Sequence, residues 1–479
     1  MLLRSLRATR TLGTAILVAS AVFAAGVSGA AERPNVLLCI ADDWSYPHAS
    51  AYGDRVVHTK VFDRVAREGA LFTHCFCAAP SCSPSRAALL TGQWPHRLEE
   101  GANLWGYLPV RFACYPEILE QRGYHVGFTG KGWGPGDFRA GGRKRNPAGN
   151  LYKDFATFLQ KRPKDRPFCF WFGSIDPHRP YETGAGARAG LDAKHVRVPR
   201  FLPDLPTVRQ DFLDYYFEVQ RFDRDVGKLL AELERVGLGE NTLVIVTSDN
   251  GMPFPRAKAN LYDAGTRVPL AVRWPSRIRS GQVVEALVSH VDLAPTILQA
   301  ACITPQNMDG ESLLPHLSGN PVRQREYIFT ERERHANVRA GNAGFPARAV
   351  RSRDWLYIRN FRPDRWPAGD PRHWYAVGPF GDIDTGPTKE AVLKTEGMPD
   401  LGRFFALACG KRPPEELYDL KNDPDQIENL AGRSNYAAKL SELRKVLHDW
   451  MKQTGDPRLD DGDDRFDKMP YFGPPTKEQ

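Results

Sequence analysis

The chain has 479 residues, 42% of them hydrophobic and 25% charged, with 65 Lys and Arg against 57 Asp and Glu and a formal charge of +8. This is a globular balance, long enough for one large and one small domain. No Lys/Arg tract is interleaved with aromatic residues, which argues against a nucleic-acid partner, and the mild excess of base suits an anionic substrate.

Residues 1–30 are predicted to be an export signal. Arg4, Arg7 and Arg10 form a basic n-region, Leu12 to Val27 an apolar h-region, and Ser28-Gly29-Ala30 a small-residue cleavage site. Small residues dilute the apolar run, which argues against a retained membrane anchor. No later segment is long and apolar enough to span a bilayer. The mature chain is expected to be exported, to a periplasm or the extracellular space, or to a lysosomal-type lumen in a eukaryote. Its charge falls to +5, because the signal holds three arginines and no acid.

From Arg33 to about Cys302, apolar strand-like runs alternate with amphipathic helices. Asn35–Ile40 (NVLLCI) reads as a buried strand, Val61–Glu68 as a helix stopped by Gly69, Tyr115–Arg122 as a helix stopped by Gly123, and His125–Thr129 and Phe168–Ser174 as strands. Asp211–Val236 is a long amphipathic helix ended by Gly237. Thr242–Ser248 (TLVIVTS) is the nearly continuous apolar run of a central parallel strand, and Leu293–Cys302 is a further helix. This alternation predicts an α/β class with a large, mostly parallel sheet sandwiched by helices over residues 31–340. From about Gly341 the chain is richer in Arg, Trp, Pro and Gly. Ala347–Ser352 and Trp355–Asn360 read as an antiparallel hairpin, Glu416–Asp419 as a short strand, and Asn435–Gln453 as a helix packed across them. Residues 341–479 are thus expected to form a small antiparallel-sheet α+β domain, with a polar, loosely held tail after Asp456.

The chemistry falls at strand ends, where open α/β sheets bind ligands. NVLLCI-Ala41 runs into Asp42-Asp43, and TLVIVTS into Asp249-Asn250-Gly251. Either pair alone suits a turn or a helix cap. Together they offer hard oxygen ligands for Ca²⁺ or, less well, Mg²⁺. Cys82-Ser83-Pro84-Ser85-Arg86 opens a helix: Pro84 fits a first turn, Cys82 sits at the dipole's positive end, and Arg86 returns to the same face one turn on. Thr129-Gly130-Lys131 follows one strand, Asp176-Pro177-His178 another, and Lys258 lies shortly after Asp249-Asn250. Arg86, Lys131, His178 and Lys258 are positioned to surround a tetrahedral anion while a metal holds one of its oxygens. Of the other cysteines, Cys39 and Cys169 read as core residues. His74, Cys75 and Cys77 match no common zinc spacing, and core packing or a disulfide is expected for them.

On these residues the chain resembles the sulfatases of the alkaline-phosphatase superfamily, and within them the heparan N-sulfatase (sulfamidase) group. The resemblance rests on Arg33-Pro34-Asn35 through Asp43, on Cys82 to Arg86 with Leu90-Thr91-Gly92, and on Thr129-Gly130-Lys131 and Asp176 to Arg179. It continues through Ser248 to Pro255 with Asn260-Leu261-Tyr262, Ser289 to Leu298, and Glu416 to Pro424. It implies that a formylglycine-generating or equivalent maturation enzyme converts Cys82 to formylglycine, whose hydrate is the nucleophile and also touches the metal. It further implies Ca²⁺ bound by Asp42, Asp43, Cys82, Asp249 and Asn250, stabilisation of the nucleophile by Arg86 and Lys131, and sulfate held by Lys258 and His178. His178 would be the acid for the leaving group. The activity implied is release of sulfate from a sulfated glycan in glycosaminoglycan degradation, N-sulfoglucosamine among the candidate substrates. The alternatives are a phosphomonoester, phosphodiester or phosphonate hydrolase on the same fold, and a catalytically silent carbohydrate-binding protein that keeps the Cys82 thiol. Many sulfatases carry a histidine two residues after the lysine of the G-K motif, where this chain has Trp133. Trp133 is expected either to wall or stack on a sugar, or to pack in the core. His335 and Arg348 are further candidate substrate contacts, and His290 a structural residue.

Overall fold

Asn35–Ala41 runs through the middle of the molecule with all seven residues, NVLLCIA, buried. An aliphatic run with no polar alternate fits a strand covered on both faces. In the computed structural model, which describes residues 33–318, 324–372 and 378–474, this strand pairs in parallel with Phe168–Gly173 on one side and Thr242–Ser248 on the other. The predicted export signal lies outside the described residues.

Around this trio the sheet has nine strands. Their order is Asn150–Leu151, His125–Gly130, Phe168–Gly173, Asn35–Ala41, Thr242–Ser248, Arg267–Arg273, Ala70–Phe76 and Gln282–Val284, and Val288–Ser289 also pairs with Ala70–Phe76. Arg267–Arg273 runs antiparallel to both of its neighbours, and the other pairings are parallel. Alternation along Asn35–Ala41 divides the core in two. Leu37, Cys39 and Ala41 join a cluster with the helices Lys60–Glu68 and Pro206–Arg235, while Val36, Leu38 and Ile40 join one with Cys82–Thr91, Tyr115–Gln121 and Leu293–Ala300. Each fully buried Leu, Ile or Val contributes about 1.5–3 kcal/mol. The long helix starts at Pro206 rather than at the expected Asp211, because Pro at its first turn loses no hydrogen bond there.

A second, antiparallel sheet has four strands: Ile328–Arg332, Ala347–Arg351, Trp355–Asn360 and Glu415–Asp419. Val350, Tyr357 and Leu417 face the helix Ala437–Thr454, and Ala349, Ile358 and Tyr418 face Leu261 and Tyr262 of the large sheet's loops. Its first strand precedes the expected boundary at Gly341, which therefore falls inside this sheet. Arg33 onward forms one compact unit. The tail after Asp456 differs from its expected looseness. Arg458 is buried against Glu333, Asn103 donates to the Phe466 carbonyl at 2.9 Å, and Arg334 donates to the Met469 and Pro470 carbonyls at 2.9 and 2.8 Å. Among the described residues no helix is long and apolar enough to cross a membrane.

Candidate active site

Four neighbouring parallel strands, His125–Gly130, Phe168–Gly173, Asn35–Ala41 and Thr242–Ser248, end at one edge of the sheet, and their following loops are bonded to each other. The Lys131 amide donates to the Gly173 carbonyl at 2.8 Å, the Asp42 amide to Asp176 at 3.0 Å, and the Asp249 amide to Ala41 at 3.1 Å. Gly173 permits the closest of these approaches, since a Cβ there would lie 1.7 Å from the Lys131 carbonyl oxygen. The strand ends are thus tied into one frame before any side chain is considered.

Into this frame project Asp42, Asp43, Asp249 and Asn250, all buried. Asp43 has φ 80°, a conformation that a non-glycine residue keeps only where its surroundings impose it. Its amide donates to Asp249 Oδ1 at 3.1 Å, and Asn250 Nδ2 donates to Asp43 Oδ1 at 2.7 Å. Cys82 is the first residue of the helix Cys82–Thr91, and its Sγ lies 3.4 Å from Asp42 Oδ1. Donor atoms of Asp42, Asp43 and Cys82 lie within 4.8 Å of one another.

The cations interleave with the acids. Arg86, one turn along the helix and fully buried, donates from Nε to Asp249 Oδ2 at 2.8 Å and from one terminal nitrogen to the Lys131 and Gly132 carbonyls at 3.0 Å each. Its other terminal nitrogen lies 3.6 Å from Asp42 Oδ1. Lys131 Nζ meets Asp42 Oδ2 at 2.6 Å. Lys258 Nζ meets Asp43 Oδ2 at 2.7 Å and Asp384 Oδ2 at 3.1 Å. His178 donates from Nδ1 to the Arg179 carbonyl at 2.6 Å, which leaves Nε2 3.9 Å from Asp43 Oδ2. The structure thus brings all of the predicted metal, nucleophile and anion-binding residues together.

Electrostatics divide the carboxylates. Burial alone would raise Asp42, but Lys131 and Arg86 hold it well below the usual range. Burial and the charge of Asp42 push Asp249 up to about 6, against Arg86. Burial and Asp42 push the Cys82 thiol well above its usual range. Asp384 is held down at about 2, where Lys258 and His178 outweigh burial. The donor set fits a hard divalent cation. Three carboxylates crowd together, and Asn250 Oδ1 is buried with no protein partner.

The remaining candidates separate. His335 is buried and bonds through Nδ1 to Ser81 Oγ at 2.8 Å, directly before Cys82, and burial lowers its pKa to about 4. It therefore stands behind the nucleophile's helix as a neutral group. Arg348 is fully buried and is committed to Asp456 at 2.6 Å and Glu333 at 2.8 Å, so the small domain uses it as an internal ion-pair partner and not as a substrate contact. Trp133 is 3% exposed and packs in the apolar cluster beneath the Cys82 helix. Its backbone is clipped on both sides by Asn146, at 3.0 and 2.8 Å, which turns the ring inward. His290 is buried behind the site, 3.3 Å from Ser85 Oγ, and is structural. All eight cysteines are unpaired, and Cys75 and Cys77 are buried. Asp384 is a member of the group that local sequence signals miss. It comes from an irregular segment far along the chain, and only tertiary folding sets it beside Lys258.

A mixed sheet with carboxylates and cations gathered at four strand ends defines a hydrolase of charged tetrahedral groups. Comparison with known proteins narrows this. The family model described as Sulfatase matches residues 34–303, and one described as N-sulphoglucosamine sulphohydrolase, C-terminal, matches residues 256–368. Human N-sulphoglucosamine sulphohydrolase is 32% identical over 89% of this chain and 91% of its own length. An ulvan-active sulfatase of Formosa agariphila is 29% identical over 90% of this chain and 82% of its own. A solved complex with the substrate D-glucosamine-2-N,6-O-disulfate superposes with TM-score 0.65 at 20% identity, over 90% of this chain and all of the other. The chain belongs to the sulfatase family of the alkaline-phosphatase superfamily. It is an enzyme that hydrolyses sulfate esters or sulfamates.

Proposed function

We propose that this enzyme releases sulfate from a sulfated glycan, with N-sulfoglucosamine as its substrate, after a maturation enzyme has converted Cys82 to formylglycine. The observation that carries this is the gathering of Cys82, Arg86, Lys131, Lys258 and His178 around Asp42 and Asp43 at the distances above. The choice of N-sulfate is supported by the human relative, named for that activity, and by the match of its C-terminal family model to residues 256–368. Exposed to its maturation enzyme, the chain would carry its predicted export signal and act outside the cytosol.

Asp42, Asp43, Asp249 and Asn250 would hold Ca²⁺, which supplies charge neutralisation to the transferring group when bound. Formylglycine supplies, as its hydrate, a hydroxyl for attack on sulfur and a second hydroxyl that restores the aldehyde. Arg86 and Lys131 fix the polar surroundings of residue 82. Lys258, buried and aimed into the group, binds a sulfate oxygen and opposes the charge that develops there. His178 Nε2, held toward the site by its Nδ1 bond, gives a proton to the leaving amine or alcohol, so that the sugar leaves neutral and sulfate remains.

The test is sulfate release by the matured, full-length enzyme from N-sulfoglucosamine, set beside 6-O-sulfated glucosamine and matched phosphate and phosphonate esters, with mass measurement of the Cys82 peptide. Release from the N-sulfated sugar and a formylglycine mass are expected. Turnover of the phosphorus esters alone, or an unmodified thiol in active enzyme, would overturn the proposal.

A further inference from the structure

The site opens into a cleft of about 520 Å³ lined by Asp42, Lys131 and His178 of the reacting group and, beyond them, by Trp105, Ile175, Glu218 and Arg221. Its two sides differ in chemistry. The anionic sulfate group uses the first set and has no use for the second, in which Ile175 is 65% exposed and Trp105 is only half-buried. Large apolar side chains facing solvent beside a polar centre mark a surface kept for a ligand. The polar part of that second set is the exposed guanidinium of Arg221, held by the buried carboxylate of Glu218 at 2.6 Å and by Asp176 at 3.4 Å, with N–H donors left over for a ligand.

The backbone at Trp105 points the same way. Its φ is 58°, in the left-handed region, where a bulky residue is an outlier. Such a conformation persists only when its surroundings over-determine it, and here they do. The Phe472 amide donates to the Trp105 carbonyl at 2.7 Å, the Tyr471 ring meets the indole edge-on at 6.4 Å, and the Leu104 amide donates to Arg334 at 3.1 Å. The C-terminal tail thus reaches back to hold a tryptophan in an unfavourable backbone so that its ring lines the cleft. Burying the indole in the core would need no such device.

We propose that Trp105 is the specificity-determining residue against which the sulfated sugar ring stacks, with Arg221, held in place by Glu218, bonding the ring's hydroxyls. A pyranose presents an apolar C–H face and a polar rim, and the cleft presents an aromatic ring and a charged pair in the matching arrangement. This rests on the saccharide sulfatase reading above.

The test uses matured full-length enzyme with N-sulfoglucosamine. Trp105→Ala is expected to raise KM roughly 10- to 100-fold, as loss of an aromatic anchor does, with kcat changed less than about 3-fold. Inhibition by inorganic sulfate, which needs no sugar contact, stays within about 2-fold, and Trp105→Phe recovers most of the KM. A KM within about 3-fold of wild type, or an equal loss of inorganic sulfate binding, would overturn the proposal. If Trp105→Ala does not fold, saturation-transfer NMR on the Cys82→Ala variant decides it. Transfer to the sugar ring protons that Trp105→Leu abolishes and Trp105→Phe keeps would support the stack, and transfer unaffected by Trp105→Leu would refute it. Wild-type enzyme that releases no sulfate from any saccharide would bring down the parent reading and this one with it, whereas normal wild-type turnover with an unaltered Trp105→Ala variant refutes only the stacking role.

Discussion

Replacing Lys258 by Met separates two roles that the structure gives one side chain. The ammonium is 4% exposed and stands 2.7 Å from Asp43 and 3.1 Å from Asp384. Removing it leaves both carboxylates short of a partner. Breaking a buried pair in this way costs about 3–5 kcal/mol, and the lower end applies because the Asp384 side chain is 25% exposed. Removing one preorganised donor to a transferring group separately costs roughly 10²–10³ in kcat, about 2.7–4 kcal/mol. The double variant Lys258→Met with Asp384→Asn distinguishes these costs. It removes one of the two stranded charges, so urea unfolding should recover about 1–3 kcal/mol relative to the single variant. Sulfate release should not recover, because the donor to the anion is still missing. If the double variant regains kcat/KM to within about 10-fold of wild type, Lys258 serves only to neutralise Asp384, and its role in holding sulfate is wrong.

Cys82→Ala should abolish sulfate release while leaving the unfolding midpoint nearly unchanged, since it deletes one small buried group; retained turnover would remove Cys82 from the chemistry. A chelator should lower the melting temperature of the full-length protein, and Ca²⁺ at about 100 times its Kd should restore about 2.7 kcal/mol; an unmoved melting temperature would count against the metal assignment. His96 sits 3.1 Å from Glu331 and 3.9 Å from Asp456, and although burial opposes the charge, these acids raise its pKa. Folded His96 therefore keeps a proton that the unfolded chain has lost, so its stabilisation is full below about pH 6.5 and declines as pH rises through the folded pKa. His96→Leu should cost about 3 kcal/mol in urea at about pH 5.5 and less at about pH 8, and equal costs would mean that His96 is neutral throughout. Trp133→Phe should lower stability by about 1–2 kcal/mol and leave KM unchanged, and a raised KM would return Trp133 to the substrate.

The two central strands were legible because nothing in NVLLCI or TLVIVTS breaks an apolar run, and buried parallel strands ask for little else. Arg267–Arg273 (RVPLAVR) was not, since Pro269 argues against an inner strand. It is tolerated because the register of the neighbouring strand shifts between Phe72 and Cys75, opposite Pro269, so the missing N–H falls at a bulge and not in a regular ladder. Ile328–Arg332 hid for another reason. It is a short edge strand whose only strand partner among the described residues is Ala347–Arg351, so its pairing is a tertiary fact. The residues proposed to bind the metal and the anion were readable because each follows a recognisable strand or opens a recognisable helix, and the sheet then brings those ends together without further instruction.

The side chains that face a sugar obey no such rule. Trp133, two residues beyond Lys131, could be read either as a wall for the sugar or as a core residue, and the structure packs it in the core beside the Asn146 clip. Trp105 carries no local signal, and its backbone is bonded to Phe472, more than 300 residues along the chain. Asp384 likewise reaches Lys258 from a segment with no strand or helix of its own. Reaction chemistry is therefore carried by elements whose periodicity is local. On the proposal above, substrate choice rests on loops and a tail whose placement is decided by single long-range hydrogen bonds and ion pairs. Changing those few contacts would re-aim Trp105 or Asp384 while leaving Cys82, Asp42 and Arg86 in their frame, which is how one sheet edge can hold a constant sulfate site under a variable sugar site.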